Sequence, residues 1–250
     1  MKRNLRRLGA AFLAGGILAL LAVPVLWREP KAAPALGPVY GTADCTCPVI
    51  ALTFDDGPKR STTSRLLDGL AERGVKATFF LIGCQVDGCE DLVLRMDAEG
   101  HQIGMHTEDH KMLAGVSRAT FDQEVGRNRA VLEKVLGKTQ FMLRPPYGMT
   151  DGHLCAWSRY PLIRWSVDPE DWKDNSRQRI VQEILSRTKD GDIILMHDIY
   201  DSSVDAALEV VDGLLKEGYR FVTVEQLFKI RGVQPQAGHI YDCLPPGCAG

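Results

Sequence analysis

Two short segments carry residue types that bind divalent metal ions. One is the adjacent pair Asp55–Asp56, which is followed by a Gly-Pro turn, and the other contains His106 and His110. Two histidines and one carboxylate form a common catalytic metal set that leaves coordination positions open for water and substrate. Histidines four residues apart can reach one ion if they lie on one helical turn. Adjacent aspartates in an extended chain point in different directions, so one can bind a metal while the other faces a substrate.

Three further segments carry polar or aromatic residues that could orient a carboxylate, bind a sugar or donate a proton. Pro145 restricts Arg144 to an extended backbone, and a fixed guanidinium can orient a carboxylate through paired hydrogen bonds. Asp171 and Trp172 suit a sugar site, because an indole face packs against a sugar ring. His197 lies next to an acid, titrates near neutrality and can act as a general acid. Taken alone, each of the five segments also fits a structural role, such as a turn or a satisfied core histidine.

Short apolar runs alternate with helical patterns from residue 49 onward, and each of the five segments follows a run. Strands are predicted at 49–54, 77–82, 102–104, 141–143, 162–167, 193–196 and 220–224. Helices are predicted at 62–73, 91–99, 120–136, 177–188, 204–216 and 225–230. This alternation favours a parallel sheet with helices outside, either as a small irregular βα barrel or as a doubly wound sheet. In both architectures sites form at the carboxyl ends of the strands, where the five segments lie.

The amino terminus has the pattern of an export signal. Four basic residues precede an apolar run at 9–27, so residues 1–27 are predicted to be a signal peptide or a signal anchor. The length of the run favours an uncleaved anchor, whereas Pro24 and the small residues near 31–35 are compatible with cleavage. A Pro/Ala/Gly-rich linker is predicted at 28–44, a main domain at 45–232, and an irregular tail containing Cys, Pro and Gly at 233–250. The main domain is expected to be extracytoplasmic, because basic residues are denser before the apolar run.

Charge and cysteine content restrict the class of protein. The chain has 250 residues, 30 basic and 32 acidic side chains, and no basic stripe with interleaved aromatic residues, so we expect no nucleic-acid partner. Export is compatible with disulfides, and local bridges are expected between Cys84 and Cys89 and between Cys243 and Cys248. With seven cysteines at least one thiol is left over, and Cys155 is predicted to be buried and free.

In order along the chain, the five segments resemble the five motifs of the polysaccharide deacetylase family, which is carbohydrate esterase family 4 with the nodulation-factor deacetylase homology domain. The resemblance covers residues 49–228 and makes 45–232 the catalytic domain. It implies a distorted (β/α)7 barrel. By position, Asp55 resembles the family's catalytic base, and Asp56, His106 and His110 resemble its metal ligands. Arg144 resembles the residue that orients the base.

The resemblance also implies roles around the rest of the site. His197 resembles the family's catalytic histidine, and Asp171 resembles the acid that tunes it. Tyr147 matches the position whose backbone N–H stabilises the oxyanion. Trp172 and Leu195 match residues that line the pocket for the acetyl methyl group.

These roles predict a hydrolase that removes N-acetyl groups from N-acetylglucosamine-type polysaccharide. Peptidoglycan is favoured because the enzyme would face the outer side of a membrane, and chitin-like oligomers remain open. The alternatives are an O-acetyl esterase on xylan and a non-catalytic glycan- or metal-binding module. The expected cofactor is one divalent metal ion, zinc foremost, with cobalt or another divalent ion also acceptable. The expected partners are the acetylated polysaccharide and, through an uncleaved amino terminus, the membrane; no obligate protein partner is inferred.

Overall fold

The computed structural model describes residues 47–247. The predicted signal or anchor at 1–27 and the linker at 28–44 lie outside the described residues, as do Cys45 and Cys248. Among the described residues, every helix is too short or too polar to cross a bilayer.

Seven strands and eight helices alternate along most of the described chain. The strands are β1 (Val49–Asp55), β2 (Thr78–Leu81), β3 (Gln102–Met105), β4 (Leu162–Ile163), β5 (Ile193–His197), β6 (Arg220–Phe221) and β7 (Ile240–Tyr241). The helices are α1 (Arg60–Glu72), α2 (Gly83–Val86), α3 (Glu90–Ala98), α4 (Arg118–Leu136), α5 (Gly152–Trp157), α6 (Arg177–Arg187), α7 (Asp201–Lys216) and α8 (Val224–Arg231). The six predicted helices are confirmed with small shifts at their ends, and α2 and α5 are additional short helices.

Parallel pairing closes the strands into a barrel. β1 lies between β2 and β5, and β3 follows β2. Single parallel bridges continue the ring from Met105 to Leu143, from Leu143 to Leu162, and from Val167 to Ile194 in β5. The predicted strand 141–143 therefore contributes one bridging residue, because the two prolines that follow Arg144 lack the N–H groups that would extend a ladder. The predicted barrel is confirmed, and the doubly wound alternative is excluded.

The barrel wall has two buried faces, and successive side chains of β1 pack alternately on one and the other. Ile50, Leu52 and Phe54 belong to the large core between the strands and the helices. Val49 and Ala51 belong to a second cluster, which contains side chains of α8. Because successive side chains of a strand point to opposite faces, Thr53 and Asp55 share the inner face with Val49 and Ala51. The sequence thus directs Asp55 into the mouth of the barrel.

The carboxyl-terminal tail differs from its predicted irregular form. β7 pairs in parallel with β4. The backbone of Cys243 forms a single antiparallel β-bridge with that of Asp192, which directly precedes β5. Asp242 receives two hydrogen bonds from Arg164, at 2.7 and 2.8 Å. Leu244 is only 3% exposed and packs in the inner cluster. Because two residues carry too little periodicity to indicate a strand, only the tertiary pairing reveals β7.

The predicted disulfide between Cys84 and Cys89 is wrong, because both residues are free thiols. The Cys84 thiol lies among acidic groups, including Asp109, and burial together with those charges raises its pKa. Cys89 instead packs against the core and interacts with Arg60. The two thiols therefore face different surroundings although they are close in sequence. Cys155 is a free thiol as predicted, but it is half-buried rather than buried.

Candidate active site

Strand pairing places Asp55 and His197 side by side. Asp55 at the end of β1 is in register with His197 at the end of β5. Both side chains lie on the inner face of the wall, and both residues are at least nine-tenths buried. The loop after β3, the turn after Leu143 and the loop after Val167 end at the same rim. The carboxyl ends of parallel strands therefore gather the predicted residues, as the fold requires.

Asp56, His106 and His110 form a group with metal-binding geometry. One ligand atom from each lies within 4.8 Å of the other two. Asp56 Oδ1 is 3.4 Å from His106 Nε2 and 3.3 Å from His110 Nε2. This carboxylate oxygen is buried, and within the described part of the chain no hydrogen-bond donor satisfies it. A buried unsatisfied oxygen facing two imidazole nitrogens fits a divalent cation.

The protonation of the three groups also suits metal binding. His106 Nδ1 lies 2.7 Å from the carbonyl oxygen of Arg144, which can only accept, so this nitrogen carries the proton and Nε2 offers its lone pair. Burial lowers the pKa of His110 and favours its neutral form. Burial would raise the pKa of Asp56, but the imidazoles of His106, His197 and His110 around it keep that pKa below its usual value.

The two histidines do not lie on a helical turn. The segment after β3 is an irregular loop, and Thr107 and His110 have positive φ values of 65° and 54°. Asp56 has a positive φ of 71° as well. Left-handed backbone is uncommon for residues other than glycine and clusters at functional sites. The left-handed backbone of the loop thus directs both imidazoles toward Asp56, and the spacing of the two histidines does not indicate this conformation.

Arg144 and Asp55 form a buried ion pair beside this group. The Arg144 guanidinium donates to Asp55 Oδ1 at 2.8 Å and to Thr53 Oγ1 at 2.7 Å. It also donates to the carbonyl oxygens of Ile163 and Arg164 and lies 4.2 Å above the Phe80 ring. Arg144 is fully buried, so its position is set by the barrel interior. The second oxygen of Asp55, Oδ2, lies 3.6 Å from His106 Nε2 and therefore faces the metal-binding group.

His197 and Asp171 form a second buried pair at the same mouth. His197 Nδ1 lies 2.7 Å from Asp171 Oδ1, and the His197 backbone N–H donates to Asp171 Oδ2 at 2.9 Å. Burial would lower the pKa of His197, but the hydrogen bond and charge of Asp171, together with Asp55 and Asp56, raise it to about 9. An imidazolium with Nδ1–H bound to Asp171 presents Nε2–H to the site and has the protonation of a general acid.

The remaining three predicted residues surround this centre at different depths. Tyr147 and Trp172 are 62% and 53% exposed and lie on separate loops at the rim. The Tyr147 ring packs against His110 with centroids 4.7 Å apart, and its backbone has a positive φ of 62°. Leu195 is buried in β5, two residues before His197 and on the same face.

Two buried polar residues at this site were missed by sequence reasoning. Thr53 accepts from Arg144 and donates to the Ile194 carbonyl at 2.6 Å, so it links the guanidinium to β5. Asp198 is fully buried, bonds to Thr63, and lies against Gly57, where an added Cβ would clash with the Asp198 carboxylate. A polar residue at an inward position of an apolar strand was the available signal for Thr53. Asp198 was visible only as the acid next to His197, and no sequence signal indicated its burial.

Comparison with known proteins gives consistent matches. A family model for polysaccharide deacetylase matches residues 42–159. The peptidoglycan-N-acetylmuramic acid deacetylase PdaC of Bacillus subtilis is 37% identical over 204 residues, which are 82% of this chain and 44% of that protein. A peptidoglycan-N-acetylglucosamine deacetylase of Bacillus cereus is 35% identical over 213 residues, 82% of this chain and 75% of the relative. The chain thus spans less than half of PdaC and three quarters of the Bacillus cereus protein.

Solved structures with a similar fold also carry the names of a deacetylase and an acetyl esterase. A structure described as T48 deacetylase with substrate is 42% identical, with a TM-score of 0.76, and covers 80% of this chain and 100% of that chain. A family 4 acetyl xylan esterase from Clostridium thermocellum, in complex with a cobalt ion, is 30% identical, with a TM-score of 0.75. The match covers 79% of this chain and 99% of the esterase chain. With its closed parallel barrel and this level of identity over most of its length, the chain belongs to the polysaccharide deacetylase family.

Proposed function

We propose that this protein is an extracytoplasmic, metal-dependent deacetylase that removes N-acetyl groups from N-acetylglucosamine-type polysaccharide, with cell-wall peptidoglycan as the first candidate. One observation carries the proposal: the buried carboxylate Asp55 and the acid His197 lie side by side at the same mouth, in register on the paired strands β1 and β5. The names of the Bacillus subtilis and Bacillus cereus relatives support peptidoglycan as the substrate.

Asp56, His106 and His110 are proposed to hold one divalent ion, with zinc foremost. The unsatisfied Asp56 Oδ1 and the two Nε2 atoms supply one carboxylate and two neutral imidazoles. This donor set accepts zinc, cobalt and other divalent ions. When bound, the ion acts as a Lewis acid and lowers the pKa of a coordinated water.

Asp55 is proposed to remove the proton of the attacking water. Its Oδ1 is occupied by Arg144, so Oδ2 is the oxygen that faces the metal-binding group. Arg144 keeps the carboxylate in one orientation and supplies the balancing charge within the barrel. A base held by a rigid partner needs no reorganisation when the water attacks.

His197 is proposed to donate a proton to the leaving amine. Asp171 holds Nδ1–H and stabilises the imidazolium, so that Nε2–H remains for the substrate nitrogen. The backbone N–H of Tyr147 is proposed to donate to the oxyanion, which is a kind of donor whose removal costs about 2.7–4 kcal/mol. Trp172 at the rim and Leu195 in the wall are proposed to bound the acetyl pocket.

The location and the anchor are proposed from the amino-terminal sequence. Basic residues followed by the apolar run at 9–27 favour export, with the membrane as a partner where the segment stays uncleaved. Relatives named for peptidoglycan deacetylation are consistent with action outside the cytoplasm.

A second candidate activity is O-acetyl ester hydrolysis on xylan. The structural similarity to the Clostridium thermocellum acetyl xylan esterase is the observation that favours it. An ester has a better leaving group than an amide and depends less on proton donation by His197. A non-catalytic binding module fits less well, because binding alone requires neither Asp55 with its buried arginine nor His197.

Acetate release tests the proposal directly. We expect the protein to release acetate from peptidoglycan and from chitin oligomers, with a smaller yield from acetylxylan. A chelator should abolish release, and added zinc or cobalt should restore it. A higher specific activity on acetylxylan would replace the deacetylase assignment with the esterase one. Acetate release that withstands chelation would contradict the metal site.

The alkaline limit of activity should depend on Asp171. Because Asp171 holds the pKa of His197 at about 9 against burial, Asp171→Asn should lower that pKa and move the alkaline limb of the kcat/KM profile to lower pH. Asp174→Asn, a change of an exposed acid three residues away that pairs with Arg179, is the matched control. An alkaline limb that stays in place in Asp171→Asn would exclude His197 as the titrating acid.

A further inference from the structure

Helix α4 carries two polar side chains on its buried face. Glu124 is 2% exposed and Asn128 is 0% exposed, and they lie one turn apart among the apolar residues Phe121, Val125 and Leu132. Burial of a carboxylate is costly unless it is hydrogen-bonded, so a buried Glu in a helix requires partners. Both side chains have their partners in or next to the loop that carries His106 and His110.

Asn128 holds the beginning of this loop. Its Oδ1 accepts from the backbone N–H of His106 at 3.0 Å, and its amide group donates to the carbonyl oxygen of Leu81 at 3.2 Å. The same carbonyl oxygen accepts from the His106 N–H at 3.0 Å. Asn128 therefore fixes the backbone of the first histidine relative to the end of β2.

Glu124 holds the middle of the loop. Its backbone carbonyl accepts from the N–H of Glu108 at 3.1 Å, and its Oε2 accepts from the N–H of Asp109 at 3.1 Å. Its Oε1 lies 3.4 Å from Lys111 Nζ, which follows the second histidine. Glu124 thus contacts the chain on both sides of His110.

The loop needs such anchors because its backbone is strained. Thr107 and His110 both have positive φ values without being glycine. Such backbone angles are unfavourable for residues other than glycine and persist only where the surroundings enforce them. Backbone bonds from Gly83 and Cys84 to the carbonyl oxygens of Thr107 and Glu108 also hold the loop. Loss of the bonds from α4 is therefore expected to loosen the convergence of the two Nε2 atoms on Asp56 rather than to abolish it.

We propose that Glu124 and Asn128 are positioning residues that set the metal affinity of the Asp56–His106–His110 site by holding the histidine loop in its strained form. This inference rests on the proposed metal-binding function. Neither residue is itself placed as a ligand; each acts through backbone N–H groups of the loop. Partners of this kind usually change metal affinity by about 10–100-fold.

The test measures zinc and cobalt affinity of the full chain by titration into metal-free protein, together with the metal-free unfolding temperature. Glu124→Ala and Asn128→Ala should each raise the dissociation constant about 10–100-fold. Glu124→Gln should restore an affinity close to wild type, because its amide oxygen still accepts from Asp109 N–H. Asp122→Ala and Gln123→Ala, exposed changes on the same helix, are the matched controls and should bind as wild type does.

The outcomes separate the inference from the proposed function. Wild-type affinity in folded Glu124→Ala and Asn128→Ala would overturn the positioning role, as would an equal loss of affinity in Glu124→Gln and Glu124→Ala. If the alanine variants do not fold, Glu124→Asp, which shortens the side chain by one methylene, replaces them and should still weaken binding. A wild-type chain that binds neither metal would instead overturn the proposed metal site.

Discussion

Asp55→Asn should lower kcat about 10²–10⁴-fold, which is the usual contribution of a positioned base, while the metal stoichiometry stays unchanged. The amide still accepts a hydrogen bond from Arg144 at the position of Oδ1, but it cannot take a proton from water. Metal retention follows because Asp56, rather than Asp55, faces both histidine nitrogens at 3.3–3.4 Å. The measurements are acetate release under saturating substrate and metal content by elemental analysis.

The same substitution has an expected cost in stability. Arg144 is fully buried and would lose its balancing charge, and breaking a buried ion pair destabilises by about 3–5 kcal/mol. Activity must therefore be compared below the unfolding transition of the variant. Asp97→Asn, which changes an aspartate in the last turn of α3 that pairs with Lys138, is the control for the loss of one carboxylate. A near wild-type rate in folded Asp55→Asn would make the assignment of the base wrong.

His110→Ala should lose both the metal and the activity. His110 offers one of the three ligand atoms, and loss of a direct ligand should cost more than the 10–100-fold typical of outer residues. The substitution should disturb the fold little, since the His110 side chain is 26% exposed and lies in a loop. Metal titration and acetate release measure the two expected losses.

His153→Ala is the matched control for His110→Ala. His153 is exposed and stacks on Trp157 with centroids 5.3 Å apart, away from the three ligand atoms. This control should keep wild-type metal content and rate. Full metal stoichiometry in His110→Ala would rule out the three-residue site, whereas loss of metal with retained activity would show that the metal is not required for the reaction.

The grouping of the candidate site residues could be predicted from the sequence because it depends on residue types and on strand ends. Asp55–Asp56 ends the apolar run of β1, and His197 ends that of β5. Carboxyl ends of parallel strands share one rim, so the position of each residue after its strand was enough to group them. Helix ends were also visible locally: Gly137 closes α4 with a left-handed backbone, although the helix begins at Arg118, after the cap Ser117, rather than at the predicted residue 120.

Closure of the barrel and the environment of each side chain were decided by tertiary structure. Leu143 closes the ring through single bridges, and β7 adds a strand from a tail that has no strand periodicity. Local patterns cannot show these contacts, because they depend on pairing between distant segments.

The same limit applies within the site. Local spacing suggested a helical turn for His106 and His110, but contacts from α4 hold an irregular loop instead. Sequence by itself determined which functional groups reach the mouth of the barrel, since alternation along a strand is a local property. Their charge states and directions were decided by burial and by partners from distant elements, such as Arg144 for Asp55 and Asp171 for His197. Those partners meet only when the barrel closes.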